Sequence, residues 1–343
     1  MQSYKRLYEV FTDRETLRTA LYNASTGKKK KRAVRKALSD VERTLNRIEV
    51  YARNFKPFDH TPKEIYDGVS RKKRTIIVPH FDEQIIHHAL ILTLKPIMKK
   101  GMYYHSYGSI PDKGLARGAE QIKKWIRNDN YNTRYYLKLD IKKYFESVDV
   151  EIIIDQLRQE IKDERIIDVM ARVLRQNKGL PLGFYTSQWL ANYHLNGLDR
   201  YIKETLGAKY YLRYMDDMLI FSNNKEQLHG IRAGVARYLK DYLGLKLKGN
   251  YRVSPLTEEI DLDMLGFRFY RGKTILRKNL FLKMRRKAKR VARLTTIYSA
   301  RQMMSYKGWL KRGGTRKSRE LINSIAPFDE LAKVISKHER SKA

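Results

Sequence analysis

The stretch at residues 210–222 reads YYLRYMDDMLIFS and gives the strongest indication of the fold. It contains two mostly apolar runs, Tyr210–Tyr214 and Met218–Ser222, whose aromatic and aliphatic side chains are typical of strands. Between the two runs lie the carboxylates of Asp216 and Asp217. The stretch therefore predicts a β-hairpin with two carboxylates at its tip.

A third carboxylate, Asp140, stands near the end of another predicted strand, YYLKLDI at 135–141. Burying a carboxylate in an apolar setting costs several kcal/mol unless it is paired or binds a metal. Any one of the three aspartates alone is as easily a cap or a turn residue. As a set without a fixed lysine partner in the sequence, they predict a cation site. Oxygen ligands with open positions suit Mg²⁺, and two such ions can activate a 3′-hydroxyl and stabilise leaving pyrophosphate.

The charge of the chain predicts a polyanionic partner. Its 343 residues carry a formal net charge of +35, and a protein this basic repels itself unless nucleic acid or another polyanion shares the charge. No apolar stretch reaches the roughly 18 residues that span a bilayer, and the first residues lack a signal-peptide core. The absence of cysteine excludes disulfides and fits a reducing cytosol. We therefore expect a cytoplasmic nucleic-acid-binding protein and no membrane partner.

Strands interleave with helices along the chain, which predicts an α+β fold. A capping box at Thr12–Glu15 opens the first helix, and a very basic helical tail starts at Leu280. The other predicted elements are a helix at about 33–54, a strand at 75–78, helices at about 83–98, 121–127 and 149–161, a long helix that follows the turn at 179–183 and ends near Leu206, a helix at 228–243, and a hairpin of 264–270 with 274–276.

Six motifs, in order and at matching spacing, resemble those of reverse transcriptases. Tyr214-Met215-Asp216-Asp217 resembles the third catalytic motif, Leu139–Phe145 the first, and Gly183–Gln188 the glycine-x-x-x-serine motif that opens the template-gripping helix. The others are the primer-grip hairpin Leu265-Gly266-Phe267, the fingers strand with Arg74 before Ile76–Pro79, and the fingers motif Ser106-Tyr107-Gly108 with Lys113-Gly114. The resemblance covers roughly residues 60–280.

This resemblance implies a right-hand polymerase. It implies a basic helical N-terminal region at 1–60 and a fingers and palm domain at 61–270, whose antiparallel palm sheet carries the hairpin with the paired aspartates. A basic helical thumb follows at 271–343. The implied enzyme is an RNA-directed DNA polymerase.

The family also implies roles for single residues. Asp140 and Asp216 would coordinate two Mg²⁺ ions, with Mn²⁺ as a possible substitute, while Asp217 supports them and the Ile141 carbonyl completes a metal site. Arg74 and Lys72 would neutralise the triphosphate, because the arginine fork binds phosphate in a bidentate manner. The remaining expected nucleotide contacts are Phe145 as the gate against a 2′-hydroxyl, Leu182, Gly183 and Gln188. The expected template and primer contacts are Ser187, Leu265, Gly266, Phe267, Arg285 and Arg286.

One departure from the usual pattern indicates a branch of the family. Retroviral and group II intron enzymes usually carry glutamine before the glycine, whereas this chain has Leu182 before Gly183 and Gln188 after Ser187. That pattern resembles the reverse transcriptases of diversity-generating retroelements, which are bacterial or phage-encoded and copy template RNA with errors opposite adenines. The implied partners are template RNA, the RNA–DNA duplex with its cDNA, dNTPs, and a small basic helical accessory protein that forms a pentamer.

Two alternatives stay open from the sequence. The first is a group II intron-like or phage-defence reverse transcriptase of ordinary fidelity. The second belongs to another class, a non-catalytic RNA-binding protein on a polymerase scaffold. Such a binder would explain the positive charge, but it gains nothing from three carboxylates that repel RNA. An RNA-templated RNA polymerase shares the palm chemistry, and Phe145 argues against it.

Overall fold

The computed structural model describes residues 4–66 and 73–341, which form a mixed α+β protein. Its first helices are α1 (Leu7–Thr12), α2 (Arg14–Ser25), α3 (Arg32–Ser39), α4 (Val41–Arg53), α5 (Phe81–Lys100), α6 (Gly114–Asn128), α7 (Tyr144–Ser147), α8 (Val150–Glu160) and α9 (Glu164–Leu174). Then follow α10 (Tyr185–His194), α11 (Asn196–Arg200), a π-helical segment (Tyr201–Thr205), α12 (Lys225–Leu243), α13 (Lys278–Arg293), α14 (Ile297–Met304), α15 (Lys307–Gly313), α16 (Arg316–Ile325) and α17 (Phe328–Arg340).

The strands of the described residues form three sheets. They are β1 (Lys63–Tyr66), β2 (Lys73–Ile76), β3 (Tyr135–Asp140), β4 (Tyr210–Tyr214), β5 (Asp217–Ser222), β6 (Arg252–Pro255), β7 (Leu262–Met264), β8 (Phe267–Phe269) and β9 (Thr274–Leu276). β1 pairs with β2, the central sheet has the order β4-β5-β3-β6, and the third sheet has the order β7-β8-β9. The first and third sheets are antiparallel.

The chain folds into two compact units. The first comprises the residues up to Asp112 with Lys138–Ile220 and His229–Tyr251, and the second comprises Lys113–Leu137, Phe221–Leu228 and the part from Arg252 onward. In the first unit, α1, α2 and α10 pack against α5, which is apolar on most sides and therefore buried. In the second unit, α13 packs against α14 and α16, and α15 packs against β9. Within the described part of the chain, the helices are too short or too polar to cross a membrane.

The predicted fold class is confirmed, while several predicted boundaries are wrong. The cap of α2 is Asp13, whose carboxylate accepts a hydrogen bond from the Thr16 amide at 3.0 Å, and not Thr12. The helix predicted over 33–54 is divided because Asp40 caps α4 by accepting from the Arg43 amide at 3.0 Å. The long helix predicted after the turn at 179–183 is divided into α10, α11 and the π-helical segment.

The strand predicted over 264–270 is also divided. Leu265 and Gly266 have φ angles of 53° and 80°, the left-handed region, so the chain reverses between them. β7 and β8 consequently pair with each other, with Met264 opposite Phe267. A tight turn therefore lies where a continuous strand was expected.

Candidate active site

The central sheet brings the three predicted carboxylates together. Asp140 ends β3 and Asp217 begins β5, and these two strands are neighbours in the sheet. The turn between β4 and β5 holds Met215 in the left-handed region at φ 55°, with Asp216 next to it. The predicted hairpin with carboxylates at its tip is therefore present, and Asp140 lies on the adjacent strand.

Asp140 and Asp216 are electrostatically coupled. Burial, together with the negative charge of Asp140, raises the pKa of Asp216 to about 6. The Oδ1 atom of Asp140 is buried and has no hydrogen-bond partner in the described part of the chain. A buried acceptor without a donor, beside a second carboxylate that resists ionisation, is the situation that a divalent cation relieves.

Asp140 and Asp216 are the two carboxylates that could hold such a cation, and Asp217 has a cation beside it. Asp217 is directed toward Lys138, whose Nζ lies 4.0 Å from its Oδ1. Among residues 4–66 and 73–341, no group of three or more acidic, histidine or cysteine side chains is arranged to hold a metal ion. Asp140 and Asp216 would thus supply two protein ligands and leave positions for water and substrate phosphates, which suits Mg²⁺.

Sequence reasoning missed a lysine beside Asp140. The Nζ of Lys248 lies 2.5 Å from Asp140 Oδ2, and the Lys248 amide donates to the Asp140 carbonyl at 2.8 Å. Leu247 forms an antiparallel bridge with Ile141, so this segment returns alongside the end of β3. Asp140 therefore has a lysine partner that the local sequence does not show. No local sequence pattern predicts this pairing, because 108 residues separate the two side chains in the sequence.

A second missed feature is a fully buried ion pair behind the turn. Arg213, on β4, donates to both carboxylate oxygens of Asp199 at 2.7 and 2.8 Å, and the hydroxyl of Tyr211 donates to the same carboxylate at 2.6 Å. Burial opposes the charge on Arg213, but Asp199 outweighs it and raises the guanidinium pKa. Arginine within the apolar run YYLRY was the one sequence signal for this pair.

This ion pair is linked by hydrogen bonds to the turn that carries Asp216. Arg213 also donates to the carbonyl of Met215 at 3.2 Å and to the side-chain oxygen of Asn192 at 3.1 Å. The amide nitrogen of Asn192 donates in turn to the carbonyl of Gly108 at 2.8 Å. The network therefore holds the residue that precedes Asp216.

The fingers motif around Gly108 packs directly on that turn. The amide of Tyr107 donates to the carbonyl of Arg213 at 2.9 Å, which adds this segment to the edge of β4. A Cβ atom on Gly108 would lie 2.5 Å from Met215 Cγ and 2.7 Å from its backbone nitrogen. Only glycine permits this close approach.

The predicted nucleotide contacts lie on three segments of the first unit. The amide of Ile77, directly after β2, donates to the carbonyl of Leu182 at 2.8 Å, and a Cβ on Gly183 would collide with the Ile77 carbonyl. Leu182 is half-buried, whereas Arg74 on β2 and Gln188 on α10 are exposed. Lys72 lies outside the described residues.

Phe145, the predicted gate, follows a buried tyrosine at the start of α7. This tyrosine, Tyr144, donates its hydroxyl to the Ala191 carbonyl at 2.6 Å. The Phe145 carbonyl accepts from the Leu180 amide at 2.7 Å, so its backbone is fixed. Its side chain is half-buried.

The predicted template and primer contacts differ in accessibility. Ser187 on α10 is buried in the first unit. In the second unit, Leu265 and Phe267 are buried, and a Cβ on Gly266 would lie 2.8 Å from the ring of Trp309. Arg285 and Arg286 on α13 are exposed.

Comparison with known proteins gives one family over this part of the chain. Residues 61–250 match the family described as reverse transcriptase (RNA-dependent DNA polymerase). The match includes β3, the β4–β5 hairpin and the segment that carries Lys248.

Individual relatives are distant. Protein YkfC of Escherichia coli K12 is 21% identical over 71% of this chain and 74% of its own length. The retron Ec73 reverse transcriptase of Escherichia coli is 25% identical, covering 46% of this chain and 52% of that protein. The group II intron-encoded protein LtrA of Lactococcus lactis is 25% identical, covering 39% of this chain and 23% of that protein. The chain thus spans about half of the retron enzyme and under a quarter of LtrA.

Among solved structures, the telomerase of Candida tropicalis is similar with a TM-score of 0.49 and 10% sequence identity. That similarity covers 86% of this chain and 68% of the telomerase chain.

Proposed function

This chain belongs to the reverse transcriptase (RNA-dependent DNA polymerase) family, and we propose that it copies template RNA into DNA with Asp140 and Asp216 as the ligands of two Mg²⁺ ions. The observation that carries the proposal is the buried, unpartnered Oδ1 of Asp140 beside the raised pKa of Asp216. Bound Mg²⁺, or Mn²⁺ in its place, would make the primer 3′-hydroxyl a better nucleophile and neutralise the phosphates. The Ile141 carbonyl and Asp217 would complete and support the metal site.

The chain's own residues would position the nucleotide. Arg74 is exposed on β2, the strand that leads into Ile77 and the Leu182–Gly183 turn, where a triphosphate could meet its guanidinium. The half-buried ring of Phe145 would exclude a 2′-hydroxyl by its bulk. Gln188 would face the nucleotide from the exposed side of α10.

We further propose that the regions act as the parts of a right hand. Residues 61–270 would supply fingers and palm, 271–343 a basic thumb, and 1–60 a basic arm. Contact with the template and primer would come from the backbone of the Leu265–Phe267 turn and from the exposed Arg285 and Arg286, because the side chains of Leu265 and Phe267 are buried.

The finer proposal is an error-prone enzyme of a diversity-generating retroelement. Leu182 occupies the position where related enzymes usually carry a glutamine, whose side-chain amide would contact the incoming nucleotide. An aliphatic side chain there would discriminate less well against mispairs opposite adenine. Such an enzyme would act on its own template RNA with a small basic helical accessory protein, a pentamer in that lineage. Gln188 after Ser187 supports the same branch.

Primer extension on an adenine-bearing RNA template, with dNTPs and Mg²⁺ and sequencing of the products, tests this assignment. The expected result is extension with errors concentrated opposite adenines. Leu182→Gln should lower that error rate, and Leu190→Met on the buried side of the same α10 region should not change it. An unchanged adenine error rate in Leu182→Gln contradicts the role of Leu182.

A second candidate is favoured by the relatives. The similarity to a retron reverse transcriptase and to LtrA supports a retron-like or group II intron-like enzyme of ordinary fidelity. Faithful extension by the wild-type protein would favour this candidate. If extension fails even with cognate RNA and an accessory protein, the non-catalytic RNA-binding scaffold is favoured instead.

A further inference from the structure

A cationic cleft of about 740 Å³ lies within the second compact unit. Its walls are α6, the turn between β8 and β9, and the segment from the end of α15 into α16. Eight cationic side chains line it, against a single carboxylate, that of Glu120. The cleft contains none of the residues assigned above to the polymerase site.

Three of the eight cations hold the walls together. The guanidinium of Arg271, in the β8–β9 turn, donates to the carbonyls of Ile126, Asn130 and Thr133 at 3.3, 3.1 and 2.6 Å. This ties the turn to the C-terminal end of α6. On the other side, Lys123 donates to the carbonyl of Arg312, and Arg312 pairs with Glu120 at 3.0 Å. The walls are therefore fixed before any ligand arrives.

The other five cations are Lys124, Arg127, Lys273, Lys311 and Arg319. All five are exposed, and none forms an ion pair with a carboxylate of the described residues. Like charges that converge without acids repel one another, and a low-dielectric cleft focuses their field on any anion that enters. The unpaired charge therefore indicates a ligand with several negative charges.

We propose that this cleft binds the phosphodiester backbone of RNA. One phosphate carries one charge and cannot satisfy five cations, whereas consecutive phosphates along a strand can. Arg127 and Arg319 offer the planar fork that binds phosphate oxygens in pairs, and the lysines add point charges. Tyr270, whose ring lies 5.0 Å from the Lys273 ammonium, provides a face on which a base can stack. The choice of RNA rests on the proposed function.

The test compares two double charge reversals in the full chain. Lys124→Glu with Lys311→Glu changes the cleft, while Lys317→Glu with Lys333→Glu changes two exposed lysines of α16 and α17 that do not line it. Both pairs change the net charge equally. The measurement is the affinity for a fluorescent single-stranded RNA of about 40 nucleotides at several salt concentrations, since each lost phosphate contact lowers the slope of log K against log salt by about 0.7.

In the cleft variant, Lys124→Glu with Lys311→Glu, the magnitude of the salt slope should fall by about 1.4. The control variant should keep the wild-type slope. Lys124→Gln with Lys311→Gln should lose as much slope as the charge reversal, because a neutral side chain also releases no counterion. Equal slopes for the cleft and control pairs overturn the proposal. A DNA strand of the same sequence is the second arm, and a loss of slope on DNA without a loss on RNA overturns the assignment to RNA.

Primer extension on a short RNA template, at saturating substrate, separates this proposal from the polymerase assignment. If the wild-type protein does not extend a primer even with cognate RNA and an accessory protein, the proposed function fails whatever the slopes are. If it extends the primer and the slopes of the two pairs are equal, the cleft proposal alone fails.

Discussion

At the scale of single residues, Asp216 owes its position to its neighbours. It follows Met215, whose backbone is in the left-handed region at φ 55°, a conformation that costs free energy for a residue with a side chain. The carbonyl of Met215 is held by Arg213, and Arg213 is held by the buried carboxylate of Asp199. A fully buried ion pair is thus linked by one hydrogen bond to the turn that carries the carboxylate.

Replacing Arg213 should therefore impair catalysis through position. In Arg213→Lys the charge remains, but one ammonium cannot reach both Asp199 and the Met215 carbonyl. We expect kcat to fall roughly ten- to hundredfold, as for a small misplacement of a catalytic group, and the half-saturating Mg²⁺ concentration to rise. The KM for the RNA template should stay unchanged, which a general loss of folded protein would not produce selectively.

The control is the exposed Arg200, where Arg200→Lys should leave kcat and the Mg²⁺ dependence at wild-type values. Asp199→Asn should lower the free energy of unfolding by about 3–5 kcal/mol, because it leaves a buried guanidinium without a counter-charge. If Arg213→Lys has the wild-type Mg²⁺ dependence, the network does not position Asp216.

The burial of His87 should make the folded protein less stable in acid. Its ring is fully buried, and burial, followed by the charges of His88 and His60, lowers its pKa to about 3. Glu83 lies 3.8 Å away but pairs with His60 at 2.7 Å, so burial dominates. A lowered folded-state pKa means that the unfolded chain binds the proton first. The contribution is complete above the unfolded pKa of about 6.5 and is lost as the pH falls toward 3.

The expected loss from this residue between pH 7 and pH 5 is about 2 kcal/mol, since one pKa unit corresponds to about 1.4 kcal/mol. Urea unfolding at the two pH values measures it. In His87→Leu the loss between pH 7 and pH 5 should be smaller by that amount, and in His338→Leu, near the C-terminus, it should match the wild type. Equal losses in wild type and His87→Leu would show that His87 is not the titrating group.

At the level of secondary structure, local sequence patterns predicted the hairpin with its carboxylates. They did not predict the distant segments that pack against it. The β4–β5 hairpin was predictable because strand, turn and carboxylates all lie within residues 210–222. The pairing of Asp140 with Lys248 was not, because it depends on the chain returning to β3 from far along the sequence. The turn at Leu265 was missed because leucine rarely adopts the left-handed backbone, so its apolar neighbours suggested a continuous strand.

The packing of the Gly108 segment on the turn that carries Asp216 gives a prediction for two glycines. Gly108→Ala puts a Cβ 2.7 Å from the Met215 backbone nitrogen, so the turn must shift. We expect a loss of kcat of roughly a hundredfold, measured by primer extension. Gly230→Ala on α12 has open space around the new Cβ and should raise helix stability by up to about 1 kcal/mol with activity unchanged. Wild-type kcat in Gly108→Ala would show that the segment does not constrain the turn.

For the whole molecule, the net charge of +35 is suited to binding nucleic acid, and the paired carboxylates are suited to binding metal ions. A polymerase needs both. The positive charge supplies affinity for a nucleic-acid backbone and should make binding fall steeply with salt. Composition alone made that affinity predictable, whereas the cleft on α6 and α15 was not, since its cations come from four separate stretches of sequence. A protein that only bound RNA would gain nothing from the carboxylates of Asp140, Asp216 and Asp217, because they repel its phosphates.

The role of the two carboxylates is tested by RNA-templated primer extension with dNTPs and Mg²⁺ by four proteins: wild type, Asp140→Ala, Asp216→Ala and Asp241→Ala. Asp241 is an exposed aspartate on α12 and serves as the matched control. We expect extension by the wild type and Asp241→Ala, and a loss of roughly a thousandfold or more in both other variants, with RNA affinity retained. Extension at the wild-type rate by Asp140→Ala or Asp216→Ala would show that these carboxylates do not hold the metal ions.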